Sequence, residues 1–194
     1  MLLENLKDYK IILASESPRR QFLLKELGLN FELVVNPRFD ETYPKKLVKD
    51  QIPVYLAEHK ANAVFGKVKN KTLVIAADTI VWCGNKVLNK PADHKEAVKI
   101  LTILSGKKHQ VITGVCIKSS EKRISFYSST DVFFKDLTEK EIIYYVNNYK
   151  PYDKAGAYGI QEWIGYIGIK KINGSYFNVV GLPVQKLYSE LINF

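Results

Sequence analysis

Short apolar runs alternate with helical patterns along the whole of this 194-residue chain. Ile11-Ile12-Leu13-Ala14 is continuously apolar and predicts a buried strand over Lys10–Ala14. Further strand patterns fall at Glu32–Val35, Leu73–Ala77, Ile80–Cys83, Gln110–Lys118, Arg123–Phe134, Ile164–Ile172 and Phe177–Val180. Helical signals cover Pro18–Leu27, Pro53–Lys67, Ala97–Leu104, Ile142–Tyr149 and Pro183–Ile192. Ser17 suits the N-cap ahead of Pro18, and Gly28 suits the stop. Asp93 with Glu96, and Thr138 with Glu141, have capping-box spacing. Gly84-Asn85 predicts a tight hairpin turn, and Ser119–Lys122 a longer one. Strand–helix units mixed with hairpins predict an α/β protein with a mixed, twisted sheet. No G-x-G-x-x-G follows a strand, which argues against a pure Rossmann domain.

One helix breaks a local rule. Arg19 and Arg20 lie in its first turn, where the backbone dipole is already positive and cations are disfavoured. A bound anion resolves the conflict. Free N–H groups, the dipole and two guanidinium forks would then share one phosphate, with Ser15 close by in the chain.

Charge changes this picture little. The formal net charge is +9, yet only four of the 29 basic residues are arginine, and the lysines are scattered. Nucleic-acid readers cluster arginine, so a lysine-rich solvated surface or an anionic nucleotide fits better than a polymer. No run of about 18 apolar residues occurs, so no spanning helix is expected. Met1–Lys10 carries acidic residues and no signal-peptide pattern, which predicts a cytoplasmic protein. Cys83 and Cys116 each sit in an apolar run and read as buried thiols.

Asp78 is the clearest candidate for chemistry. It is a lone carboxylate between the apolar runs Leu73–Ala77 and Ile80–Trp82, where a charge is costly unless it meets a cation, a metal or a ligand. Two predicted strands flank it, so it reads as a residue at a strand end. A carboxylate so placed can hold Mg²⁺ or take a proton from water. Asp40-Glu41 reads as a solvated acidic loop unless Glu41 converges on Asp78, when the two could share a metal. Lys60 on the second helix, and Lys90 beyond the hairpin, are compact charges suited to polyphosphate. Asp153–Gln161 is a glycine-bearing loop that lets backbone approach a ligand, and Gln161 can both donate to and accept from a base edge. His59, His94 and His109 are too dispersed for a metal site or a triad.

Several of these segments together resemble the Maf family, from Leu13 to the C-terminal helix. They are Ser15–Arg20, Ala77-Asp78-Thr79, Lys90-Pro91, Leu104-Ser105-Gly106 with His109 and Thr113-Gly114, Asp153–Gln161, Gly174-Ser175-Tyr176 and Val179–Pro183. The resemblance implies one domain over residues 1–194, with an inosine-triphosphatase-like α/β fold whose two lobes flank a nucleotide cleft. It implies a pyrophosphatase that uses Mg²⁺ or Mn²⁺ to cleave nucleoside triphosphates between the α and β phosphates. Asp78 matches the family's proposed general base. Arg19, Thr79 and Gln161 match its specificity positions, in the combination of the branch acting on dTTP and UTP. Ser15, Arg20, Glu41, Lys60 and Lys90 match further polar positions, with Glu41 and Asp78 as candidate metal ligands. The partners implied are the nucleotide and, as a possible assembly, a second copy; neither nucleic acid nor membrane is expected. Two departures stand out. Glu162 follows Gln161 where the family usually has Gly, and Asn89 precedes Lys90 where Gly is common. The main rival from another class is a non-catalytic nucleotide-binding regulator of cell division.

Overall fold

The computed structural model describes residues 3–34, 41–66 and 71–194. The apolar runs become strands β1 (Lys10–Leu13), β2 (Glu32–Leu33), β3 (Thr72–Cys83), β4 (Lys86–Leu88), β5 (Lys108–Lys118), β6 (Arg123–Phe134) and β7 (Ile169–Asn173). They form one mixed sheet in the order β2-β1-β3-β5-β6-β7, with β4 paired to β3. Strand β1 is parallel to both β2 and β3, whereas β4 is antiparallel to β3 and β7 to β6. The helices are α1 (Pro18–Glu26), α2 (Gln51–Phe65), α3 (His94–Leu104), α4 (Glu139–Tyr149), α5 (Trp163–Gly168), α6 (Tyr176–Val180) and α7 (Val184–Ile192). The expected mixed α/β class therefore holds. Val35 and Lys67, predicted as the ends of a strand and a helix, lie outside the described residues, as does Asp40.

The two capping-box predictions hold with one refinement. Thr138 and Glu141 cap α4 reciprocally. Asp93 accepts from the Glu96 amide at 2.7 Å, but the Glu96 carboxylate returns to the amide of Ala92. Pro183 stands at the N-cap of α7, one residue before the helix it was expected to open.

Three strand expectations are corrected. Leu73–Ala77 and Ile80–Cys83 are parts of the single strand β3, so Asp78 lies mid-strand and not at a strand end. A polar pair interrupts the apolar pattern there without interrupting the backbone ladder. Within Ile164–Ile172, only the last part is strand; Trp163–Gly168 is helical. Phe177–Val180 belongs to α6 and not to a strand, because Ser175 acts as a start signal: its Oγ accepts from the Asn178 amide and its carbonyl from the Val179 amide. Aromatic and β-branched residues favour strands only weakly, and such local caps override them.

The chain divides into two units. The first comprises Met1–Asp78, Thr113–Ser128 and Gly181–Phe194; the second comprises Thr79–Ile112 and Ser129–Val180. In the first, α2 lies on the sheet through a buried cluster of Ile12, Ala14, Ala57, Ala61, Val64, Val74, Ala76 and Cys116. Four of the eight are alanines, which allow close approach of helix to strand. Gly114 on β5 takes this furthest: a Cβ there would overlap the Pro53 carbonyl group and the Val54 amide nitrogen. In the second unit, α3 packs on α4, and His109, Phe134 and Tyr158 form an edge-to-face ring cluster. His109 Nε2 lies 2.7 Å from the Tyr158 hydroxyl, and burial pushes the imidazole down from 6.5 to about 4. Fully buried Asn178 on α6 donates to the Val111 carbonyl and to Thr130 Oγ1, tying α6 to β5 and β6.

Two outcomes follow from this packing. Gly114→Ala is expected to cost about 3 kcal/mol or more in urea unfolding, because the obstructing atoms are backbone and cannot swing aside. His109 binds a proton in the unfolded chain before it does so in the folded one. The stability from keeping it neutral is present above about pH 6.5 and falls by about 3 kcal/mol as pH drops towards 4. In His109→Phe that part of the acid slope should be missing from unfolding curves taken across this range; an unchanged slope would remove His109 as its source.

Candidate active site

Strand and helix periodicities bring Asp78 to Lys60. On β3, Asp78 shares a face with Val74 and Ala76, both of which pack beneath α2. On α2, Lys60 lies one turn from Ala57 and beside Ala61, which face the same sheet. Asp78 is buried, with 8% of its surface exposed, so its charge requires a partner. The Lys60 ammonium supplies it, with Nζ 2.5 Å from Asp78 Oδ1 and 3.1 Å from Glu41 Oε1. One cation thus joins the two carboxylates. Glu41 reaches Asp78 through Lys60.

The start of α1 forms the neighbouring part of the same unit. Ser17 is the N-cap and Pro18 the first helical residue, as expected, though the Ser17 side chain makes no capping bond. Ser15 Oγ instead accepts from the Ser17 amide at 3.3 Å and from Arg20 Nη1 at 3.3 Å. Arg20 Nε donates to the Gly181 carbonyl at 2.9 Å. Burial pushes the Arg20 guanidinium below its ordinary value, and the carboxylate of Asp78 acts against that shift, with Glu41 adding to it. The protein itself therefore answers part of the conflict between Arg20 and the helix dipole. Half-buried Arg19 adds a further positive charge at the same turn. Among the described residues, Arg19, Arg20 and Lys60 thus lie with the carboxylates of Asp78 and Glu41.

Thr79, Lys90 and Gln161 lie in the second unit, on three different segments. Thr79 is half-buried on β3. Lys90 is exposed beyond β4, whose antiparallel register, Val81 opposite Leu88, returns the chain towards the level of Thr79. Gln161 is exposed at the end of the glycine-bearing loop between α4 and α5. Gly156 in that loop has φ +72°, and a Cβ there would lie 2.8 Å from Val81 Cγ2.

The loop also holds a charged network that residue spacing does not reveal. Lys154 Nζ, nearly buried, lies 2.6 Å from Asp153 Oδ1 and 3.0 Å from Glu162 Oε1. The Tyr145 hydroxyl donates to the other oxygen of Glu162 and accepts from the Gly159 amide at 3.0 Å. Burial, reinforced by Glu162, pushes the Tyr145 hydroxyl well up, so it stays a donor. The signal was Glu162 itself, a carboxylate where the family usually has Gly.

Metal chemistry was expected at Asp78 and Glu41. Among the described residues no three of His, Cys, Asp and Glu cluster. Two carboxylates that already share one cation nonetheless fit a divalent ion, because Mg²⁺ takes few protein ligands and completes its shell with water and phosphate. Cys116 is a buried free thiol as expected, whereas Cys83 is half-buried and also free. Among the described residues no helix is long and apolar enough to cross a membrane.

The family described as Maf-like protein matches residues 10–194. The chain belongs to the Maf family. Relatives are similar over their full length. The dTTP/UTP pyrophosphatase of Parabacteroides distasonis is 53% identical over 100% of both chains. Those of Phocaeicola vulgatus and Bacteroides thetaiotaomicron are 53% and 52% identical over 98% of each chain. Among solved structures, a HAM1 protein from Coxiella burnetii has the same fold, with a TM-score of 0.51 at 15% identity, covering 96% of this chain and 100% of that one. In this Maf family member, the ion pair beneath α2 yields a direct test. A double-mutant cycle of Lys60→Met and Asp78→Asn in urea unfolding should give a coupling of about 1–3 kcal/mol, the single Lys60→Met change being the most destabilising. A coupling near zero would show that the pair is not held in solution.

Proposed function

We propose that this chain is a nucleoside triphosphate pyrophosphatase acting on dTTP and UTP, releasing the nucleoside monophosphate and pyrophosphate. The observation that carries the reading is the buried Asp78, paired with Lys60 beside the arginine-bearing start of α1. The full-length similarity to proteins named dTTP/UTP pyrophosphatase supports the same reaction.

In this reading Ser15 and Arg20 hold the triphosphate at the helix start, where donors and dipole already favour an anion. Lys60 and Lys90 neutralise the β and γ phosphates. Water attacks the α phosphorus, and the bond from that phosphorus to the bridging oxygen breaks. The water proton passes to Asp78, and pyrophosphate leaves with the bond's electrons. Cations that strengthen their contacts as charge moves onto pyrophosphate accelerate the step, whereas equal contacts before and after would only tighten binding. Arg19, Thr79 and Gln161 select the base. Asp78 and Glu41 would hold a divalent ion, Mg²⁺ or Mn²⁺, which supplies charge neutralisation at the phosphates.

Pyrophosphate release from a panel of nucleoside triphosphates, with Mg²⁺ or Mn²⁺, tests this reading. Fast release is expected from dTTP and UTP. Asp78→Asn should lower kcat by roughly 10²–10⁴-fold and leave KM nearly unchanged, as loss of a general base does. Nucleotide binding without release from any of the panel would instead favour the non-catalytic regulator.

A further inference from the structure

The segment from Asp153 to Glu162 is held in a conformation it would not adopt unaided. Gly156 and Ala157 follow one another in the left-handed region, with φ of +72° and +56°. Glycine is at ease there, but alanine is not, and Ala157 is completely buried. Such a residue persists only where its surroundings hold it.

The Gly156 amide donates to the Asn89 carbonyl and Tyr158 packs on His109, but several further restraints meet at one carboxylate. Glu162 Oε1 pairs with Lys154 near the start of the segment, at 3.0 Å. Its other oxygen accepts from the hydroxyl of Tyr145, a side chain anchored in the interior on α4. That same hydroxyl accepts from the Gly159 amide, and the Glu162 amide donates to the Gly159 carbonyl at 3.0 Å. Gly159 leaves room for this: a Cβ there would lie 2.8 Å from Glu162 Cδ. Lys154 is about 10% exposed and Glu162 24%, so the pair is shielded enough to be directional.

We infer that Glu162 is a positioning residue for nucleotide selection: its carboxylate clasps the segment 153–162 and so fixes the backbone from which Gln161, its chain neighbour, extends. The inference rests on the proposal that Gln161 reads the base. Both oxygens of Glu162 are engaged within the segment and α4, so its role is to hold Gln161 and not to touch the nucleotide.

The test combines amide hydrogen exchange with kinetics on UTP and CTP, whose bases differ at the carbon-4 edge. Glu162→Ala should speed exchange over residues 153–162 by about tenfold or more while β3 stays protected. It should lower the UTP-over-CTP ratio of kcat/KM as Gln161→Ala does, by roughly tenfold, through KM and not through kcat on UTP. Glu162→Gln, which keeps an acceptor for Tyr145 but loses the ion pair, should fall between. Tyr145→Phe, which removes the bridging hydroxyl but keeps the ring, should also free the Gly159 amide, and it stands in if Glu162→Ala does not fold. Unchanged exchange in the variants overturns the clasp. Faster exchange with an unaltered nucleotide ratio, where Gln161→Ala does alter it, overturns the selection role alone. If Gln161→Ala leaves the ratio as it was, the base-reading assignment falls, and the selection role of Glu162 falls with it.

Discussion

A buried carboxylate in the middle of a long strand constrains everything around it. Asp78 interrupts an apolar run without ending the strand, so its charge sits on the sheet face that α2 covers. A cation delivered from above that face compensates it directly. Lys60 does so because the helix period sets it within a turn of Ala57 and next to Ala61. The closeness of α2 that this requires accounts for the small residues beneath it and for the absence of a side chain at Gly114. Packing and charge compensation are therefore one problem, solved by one helix.

The start of α1 works by a related economy. A guanidinium is placed where the helix dipole opposes it, yet it is fixed from two sides, by Ser15 and by the Gly181 carbonyl. The opposing carboxylates of Asp78 and Glu41 offset its burial. Cations and carboxylates therefore meet in one small part of the first unit.

The second unit holds its candidate residues differently. Thr79 rides on a strand, Lys90 follows a hairpin, and Gln161 ends a loop with two successive left-handed residues. Strands and hairpins hold their residues through the backbone ladder. A loop has no ladder, so scattered backbone bonds and side chains hold it, Lys154, Glu162 and Tyr145 among them.

Much of this was legible in the sequence. Caps at Asp93 and Thr138 are local interactions between residues three apart, so they can be read from spacing. The apolar runs marked most strands, and the oddity of Asp78 and of paired arginines marked the candidate site. The helical character of Trp163–Gly168 and Tyr176–Val180 was not legible, because short segments of aromatic and β-branched residues carry no period of their own. Neither was the pairing of Lys60 with Asp78, because α2 meets that face of β3 only in the folded chain. The partners of Glu162 were hidden for the same reason: Tyr145 and Lys154 are 17 and 8 residues away, and only packing brings them to one carboxylate. The sequence by itself determined which residues could bear charge and where helices begin; the tertiary structure alone decided which charges meet, because that depends on contacts across elements and not along them.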